Sequence, residues 1–108
     1  MDWLEELRGR GRLEGPVTDA ILKRHGARGK RAIDAVSEGR VKEYLDFVVV
    51  VGERDEYVVE DENCQCDDQR YNLDEGEWCW HVIAAKIADA TGNVDEHDMW
   101  YSEVRDLL

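Results

Sequence analysis

Apolar and polar positions change their period twice along the chain, and the changes divide it into a helical start, a strand-rich middle and a helical end. In residues 2–8, Trp3, Leu4 and Leu7 stand at helical spacing, and Gly9, Gly11, Gly15 and Pro16 then interrupt the pattern. This predicts a short amphipathic turn, a loosely held arm. Residues 17–25 read as a short helix on Ala20, Ile21 and Arg24, capped by Thr18 or Asp19 and ended by Gly26. Residues 27–38 read as a second helix, apolar at Ala32, Ile33 and Val36, with Gly39 where a C-terminal glycine belongs.

From Arg40 the period becomes two. Residues 41–51 are rich in β-branched and aromatic side chains, and Leu45, Phe47, Val49 and Val51 alternate with Tyr44, Asp46, Val48 and Val50. The second half is apolar on both faces, which predicts one strand covered on both sides. Residues 52–56 have turn composition and residues 57–60 form the return strand, so a β-hairpin runs through 61–63 to Cys64. Residues 67–78 are polar and acidic, a loop. Residues 80–88 return to helical spacing, with Trp80, Ile83, Ala84 and Ile87 on one stripe and a stop at Thr91, Gly92 and Asn93. Residues 95–108 read as a last helix burying Met99, Trp100, Val104, Leu107 and Leu108. The expected fold class is α+β.

All three cysteines fall at the hairpin end and the start of the following helix, as Cys64-Gln65-Cys66 and Cys79-Trp80-His81. Three thiols and one imidazole form a four-ligand set of the kind that closes a tetrahedron around Zn²⁺. Residues i and i+2 of a strand share a face, so Cys64 and Cys66 can aim at one ion. Cys79 and His81 supply the other two ligands from the first turn of the helix. Cysteine also serves as a small buried hydrophobe, but Cys64 and Cys66 stand in a run of Asp, Glu, Asn and Gln where no core is being built. One structural Zn²⁺ is therefore expected, stabilising a chain this short by on the order of 10 kcal/mol. Four protein ligands leave no open metal position, and no nucleophile–base pair or phosphate loop is visible, so neither an enzyme nor a small-molecule substrate is expected. His25 and His97 stand alone beside charged neighbours and are expected at the surface.

At 108 residues the chain is expected to be one structural domain, with a helical segment at 1–39 and the metal-binding module at 40–108. An odd number of cysteines excludes a full disulfide framework and fits a reducing, cytoplasmic setting. No apolar run approaches the roughly 20 residues that span a bilayer, and the first residues lack the layout of a signal peptide. The formal charge of −12 makes an acidic protein that repels anionic partners as a whole.

Cys-x-Cys after a hairpin, a spacer, then Cys-x-His opening a helix resembles the SWIM zinc finger, with Cys64, Cys66, Cys79 and His81 as the matching ligands. The resemblance covers about residues 40–91, and residues 32–41 resemble the lead-in of some prokaryotic members. Asp67 stands where members often carry Pro, and Trp80 where they often carry a basic residue; the second difference removes a positive charge beside the metal. The resemblance implies a zinc-dependent module for binding DNA or proteins, an accessory to DNA transactions.

Charge locates the candidate DNA contacts. Residues 1–42 hold ten Lys and Arg against seven Asp and Glu, a charge of +3, while residues 43–108 hold four against nineteen, −15. Phosphate contacts require converging basic groups, so Lys23, Arg24, Arg28, Lys30, Arg31, Arg40 and Lys42 are the candidate nucleic-acid-binding residues; the alternative is a solvated helix face. A second possibility is a protein–protein adaptor, for example a partner of a recombinase-like protein with no direct nucleic-acid contact. Trp78 and Trp80, flanking Cys79, are the candidate interface anchors, and packing into the core is the other reading of both.

Overall fold

The computed structural model describes residues 2–73 and 76–106. Helix α1 (Trp3–Arg10) is held at both ends by local chemistry. The Asp2 carboxylate accepts from the amides of Leu4 and Glu5, and Gly11 closes the other end in the left-handed conformation. The predicted loose arm is therefore a helix. Its Trp3 and Leu7 are buried in the same core as everything else, and Gly9 lies inside it. Helix α2 (Gly15–His25) starts with Pro16 in its first turn, where a missing amide costs nothing. Helix α3 (Ala27–Ser37) follows after one residue, Gly26, at φ 58° and ψ −129°. Side chains other than hydrogen disfavour that conformation, so the sharp α2–α3 turn belongs to glycine. A Cβ at Gly29 would lie 3.0 Å from the Ile21 side chain and carbonyl, which is how closely the two helices approach.

The expected hairpin is present as β2 (Val48–Val51) and β3 (Glu56–Glu60), paired antiparallel with Val49 opposite Val58. The long predicted strand is, however, two strands. Val41–Glu43 forms β1, antiparallel to β2, and the chain reverses through residues 44–47, where the Tyr44 amide donates to the Phe47 carbonyl at 2.9 Å. Asp46 explains the reversal: it is a turn-forming residue, and its carboxylate is taken up by the amides of Tyr101 and Ser102. Asn63–Cys64 forms β4 on the outer side of β3, with Cys64 opposite Val59.

Helix α4 (Trp80–Thr91) is the centre of the molecule. It packs on β1–β4 with one side and on α1 and α3 with the other. Val82 and Ala88 are therefore buried as well as the expected stripe of Trp80, Ile83, Ala84 and Ile87, as befits a helix apolar nearly all round. After Gly92 the expected last helix is delayed. Asp95–Glu96 forms β5, parallel to β1, and α5 occupies only Tyr101–Asp106. The free edge of β1 offers backbone partners to residues 95–97 that a helix would have forgone, and Asp46 caps the helix only at Tyr101. Met99 and Trp100 consequently precede the helix and are exposed, while Tyr101 is buried in their place. Val104 is half-buried, and Leu107 and Leu108 lie outside the described residues. The result is a mixed sheet of order β4-β3-β2-β1-β5 with helices against it, an α+β fold.

Candidate metal centre

The four expected ligands converge. Their donor atoms all lie within 4.8 Å of one another, and each residue is buried, between 0 and 5% exposed. A tetrahedral zinc, with bonds of about 2.3 Å to sulfur and about 2.0 Å to nitrogen, separates its donors by roughly 3.5–3.8 Å, so the cluster stands within about an ångström of that arrangement. Strand β4 delivers Cys64, the turn after it delivers Cys66, and the N-terminus of α4 delivers Cys79 and His81. No disulfide joins the thiols.

Local backbone geometry prepares the sulfurs for negative charge. The amide of Gln69 donates to Cys66 Sγ at 3.4 Å. The amides of Cys66 and Val82 likewise face the sulfurs of Cys64 and Cys79 and favour their thiolates. The protons are unevenly shared. A hydrogen bond to Cys79, then burial, pushes the Cys64 thiol up, and burial pushes Cys66 up. Cys79 is pushed down to about 4, chiefly by the hydrogen bond from Cys64. A cation among the three would replace those protons and release all of them as thiolates.

His81 carries the sharpest sign of an ion. Both ring nitrogens are buried, and neither has a hydrogen-bond partner among the described residues outside the ligand set itself, where the ring meets the Cys79 sulfur. Buried polar atoms are nearly always satisfied, and one left without a partner costs about 1–3 kcal/mol. A metal on one nitrogen removes that cost there. Rings hold the imidazole in place: Tyr57 lies 4.1 Å and Trp80 4.0 Å from it, centroid to centroid. The set could thus hold a metal ion.

The candidate basic residues have mostly local employment. Arg28 grips Asp68 with two hydrogen bonds, 2.7 and 2.9 Å, and reaches Glu77 at 3.6 Å. Asp68 comes two residues after Cys66 and Glu77 two before Cys79, so one guanidinium on α3 clamps both arms of the ligand loop. The Asp68 hydrogen bond accordingly raises the Arg28 pKa. Lys30 pairs with Asp34 at 3.0 Å and Arg40 with Glu38 at 2.7 Å. Arg31 and Arg40 lie over the Trp80 ring at 5.6 and 5.7 Å. Lys23, Arg24, Arg31 and Lys42 have no ion pair among the described residues, and they are spread over α2, α3 and β1.

Trp80 is only 8% exposed, and Trp78 is half-buried. Trp78 stacks on His25 at 5.9 Å, meets Trp3 edge-on at 6.3 Å and carries the Lys86 ammonium 4.8 Å from its ring. His25 is half-buried in this cluster rather than at the surface. Its Nε2 accepts from Trp3 Nε1 at 3.1 Å, and burial, helped by Arg24 and Arg28, lowers its pKa to about 4. His97 is also half-buried, 3.0 Å from Asp95 and stacked on Tyr44. Sequence reasoning missed the Arg28 clamp, because charge alone does not say which carboxylate a guanidinium will meet across 40 residues. It missed the Trp3–His25–Trp78 cluster because the two tryptophans lie far apart in the sequence and nothing local joins them. Among the described residues no helix is long and apolar enough to cross a membrane.

No family model matches the chain, and no solved structure does. A protein of Archaeoglobus fulgidus described as uncharacterized is 42% identical over 89 residues, which span 82% of this chain and 78% of that protein.

Proposed function

The chain belongs to the same family as that archaeal protein, and on this premise we propose that it is an accessory binding module of SWIM type, built around one structural Zn²⁺ on Cys64, Cys66, Cys79 and His81. The observation that carries this is the buried four-donor cluster whose imidazole has no other partner. The donor chemistry favours zinc: three thiolates and an imidazole are the ligands it prefers in closed structural sites. With all four positions filled from protein there is no place for a substrate or an activated water, so the module is not an enzyme. Three reduced thiols suit a cytoplasmic setting.

For the partner, the adaptor role is favoured over direct nucleic-acid contact. Arg28, Lys30 and Arg40, three of the seven candidate phosphate contacts, are already answered by carboxylates. A net charge of −12 opposes a polyanion. The SWIM resemblance supports association with DNA transactions through a protein in that machinery.

Elemental analysis of purified protein tests the centre: one zinc per chain is expected, and folded protein free of zinc would sink it. The archaeal relative is a second protein on which to make the same measurement. For the partner, a complex that survives nuclease treatment is expected; loss on nuclease would restore the nucleic-acid reading.

A further inference from the structure

The β5 edge of the sheet, opposite the ligand set, is held rigidly and leaves apolar groups outside. The His97 amide donates to the Glu43 carbonyl at 2.9 Å, and the Leu45 amide to the Met99 carbonyl at 3.0 Å. The Asp46 carboxylate accepts from the Tyr101 amide at 2.6 Å and from the Ser102 amide and hydroxyl at 3.2 Å. Tyr44 stacks on His97 at 4.9 Å and tilts against Tyr101 at 5.1 Å, and the Tyr101 hydroxyl donates to Glu56 at 3.1 Å. These bonds join residues about 50 positions apart, so the segment is not a frayed end. On this frame Leu45, Met99 and Trp100 stand 54, 44 and 49% exposed. The Leu45–Met99 backbone bond brings these two stretches of main chain side by side at this edge. A cluster of large exposed apolar groups that includes a tryptophan is the composition of an interface anchor.

The charges around it are predominantly negative. Residues 42–47 and 94–105 hold six carboxylates against two cations, Lys42, which stands opposite Asp95 in the sheet, and Arg105. Asp46 is engaged in the cap and Asp95 faces His97. Glu43, Glu96, Asp98 and Glu103 are exposed, without an ion pair among the described residues. We propose that this edge is a docking surface for a basic amphipathic segment of a partner protein, one that presents two or three large apolar side chains flanked by Lys or Arg, resting on the binding-module role proposed above. Charge selects the occupant. A second copy would set these carboxylates against their own equivalents, and a nucleic acid or an anionic lipid surface would carry the same sign. Apolar anchors beside four carboxylates that have no ion pair among the described residues are complemented by an apolar stripe with cations at its margin.

The test uses the full metal-loaded chain and a fluorescein-labelled synthetic helical peptide repeating Lys-Leu-Leu-Lys, with a Glu-for-Lys peptide as its counterpart, read by anisotropy. The basic peptide should bind, its affinity should fall at least tenfold in the Leu45→Ser, Trp100→Ser double variant, and Tyr71→Ser, at an exposed tyrosine on the ligand loop, should leave it unchanged. Neither change in the double variant alters charge, so a merely electrostatic attraction would survive it. Equal binding by the double variant, or equal binding of the acidic peptide, would overturn the proposal. So would a wild-type dimer in sedimentation that the double variant dissolves, since the occupant would then be a second copy. Circular dichroism confirms that the double variant is folded; should it not be, Glu96→Gln with Asp98→Asn, which must weaken the peptide severalfold, makes the same decision. Zinc content measured on the same sample separates failure of the metal centre from failure of this surface.

Discussion

The two edges of the sheet invite comparison, because both end in a two-residue strand within an acidic stretch and yet they are finished in opposite ways. At the β4 edge Cys64 is buried, the chain folds back as the ligand loop, and Asp68 and Glu77 are both answered by Arg28. At the β5 edge the backbone is equally well tied, but Glu43, Glu96, Asp98 and Glu103 have no ion pair among the described residues and Leu45, Met99 and Trp100 are exposed. Short strands blunt both edges against unwanted pairing. The acidity of the first edge is used inside the molecule, to hold the loop between Cys66 and Cys79 on α3. The acidity of the second is left for solvent or a partner. Net charge alone would have treated the two alike.

The sharpest way to break the comparison is to remove the metal. Chelation should cost on the order of 10 kcal/mol, seen as loss of the cooperative thermal transition in circular dichroism; an unchanged melting temperature would mean that the β4 edge does not depend on an ion. Next comes the clamp. Arg28→Met removes the guanidinium that ties Asp68 and Glu77 to α3 and should cost about 2–3 kcal/mol, with faster zinc transfer to a chromophoric chelator. Lys30→Met on the same helix loses only an exposed pair to Asp34 and should stay within about 0.5 kcal/mol. Equal effects of the two would remove the structural role assigned to Arg28.

A smaller effect comes from His25. Its pKa is lowered from 6.5 to about 4 in the fold, so as pH falls from 6.5 the unfolded chain takes up a proton that the folded chain refuses. Stability must therefore fall between pH 6.5 and 4, by about 1–2 kcal/mol once solvent screening is allowed for. His25→Phe keeps the ring between Trp3 and Trp78 and should flatten that part of the pH profile in denaturant titrations, above whatever slope the metal ligands impose on both proteins. An identical slope would show that His25 titrates normally. The smallest expected effect is at the β5 edge. Leu45→Ser or Trp100→Ser should change stability by no more than about 0.5 kcal/mol, and a larger loss would mean that these side chains belong to the core.

The ligand set was legible because its signal is local. Cys64, Cys66, Cys79 and His81 are adjacent in pairs, and a strand end followed by a helix start is enough to bring the pairs together. The helices α2, α3 and α4 were legible for the same reason, since apolar spacing and Gly26, Gly39 and Gly92 act within a few residues. Even so, the α4 stripe was read too narrowly: a period of 3.6 marks one buried face, and only the tertiary structure shows the sheet on one side of the helix and α1 and α3 on the other.

Elsewhere local signals competed with distant ones. A run of β-branched residues predicted one strand over 41–51, but Asp46 is drawn to the amides of residues 101 and 102, and the run folds into two strands. The helical spacing of Met99, Trp100 and Val104 was outbid by the open edge of β1, which recruits residues 95–97 as backbone partners and turns Met99 and Trp100 outward. By itself the sequence determined the fold class, the four residues that could hold a metal and the helices whose ends are marked by their own residues. Only the tertiary structure decided what the charges do: whether Arg28 meets phosphate or Asp68, and which carboxylates have no ion pair among the described residues. Helix caps and ligand spacings are satisfied within a few residues, whereas the partner of a charge is whatever the completed fold brings within a few ångströms of it.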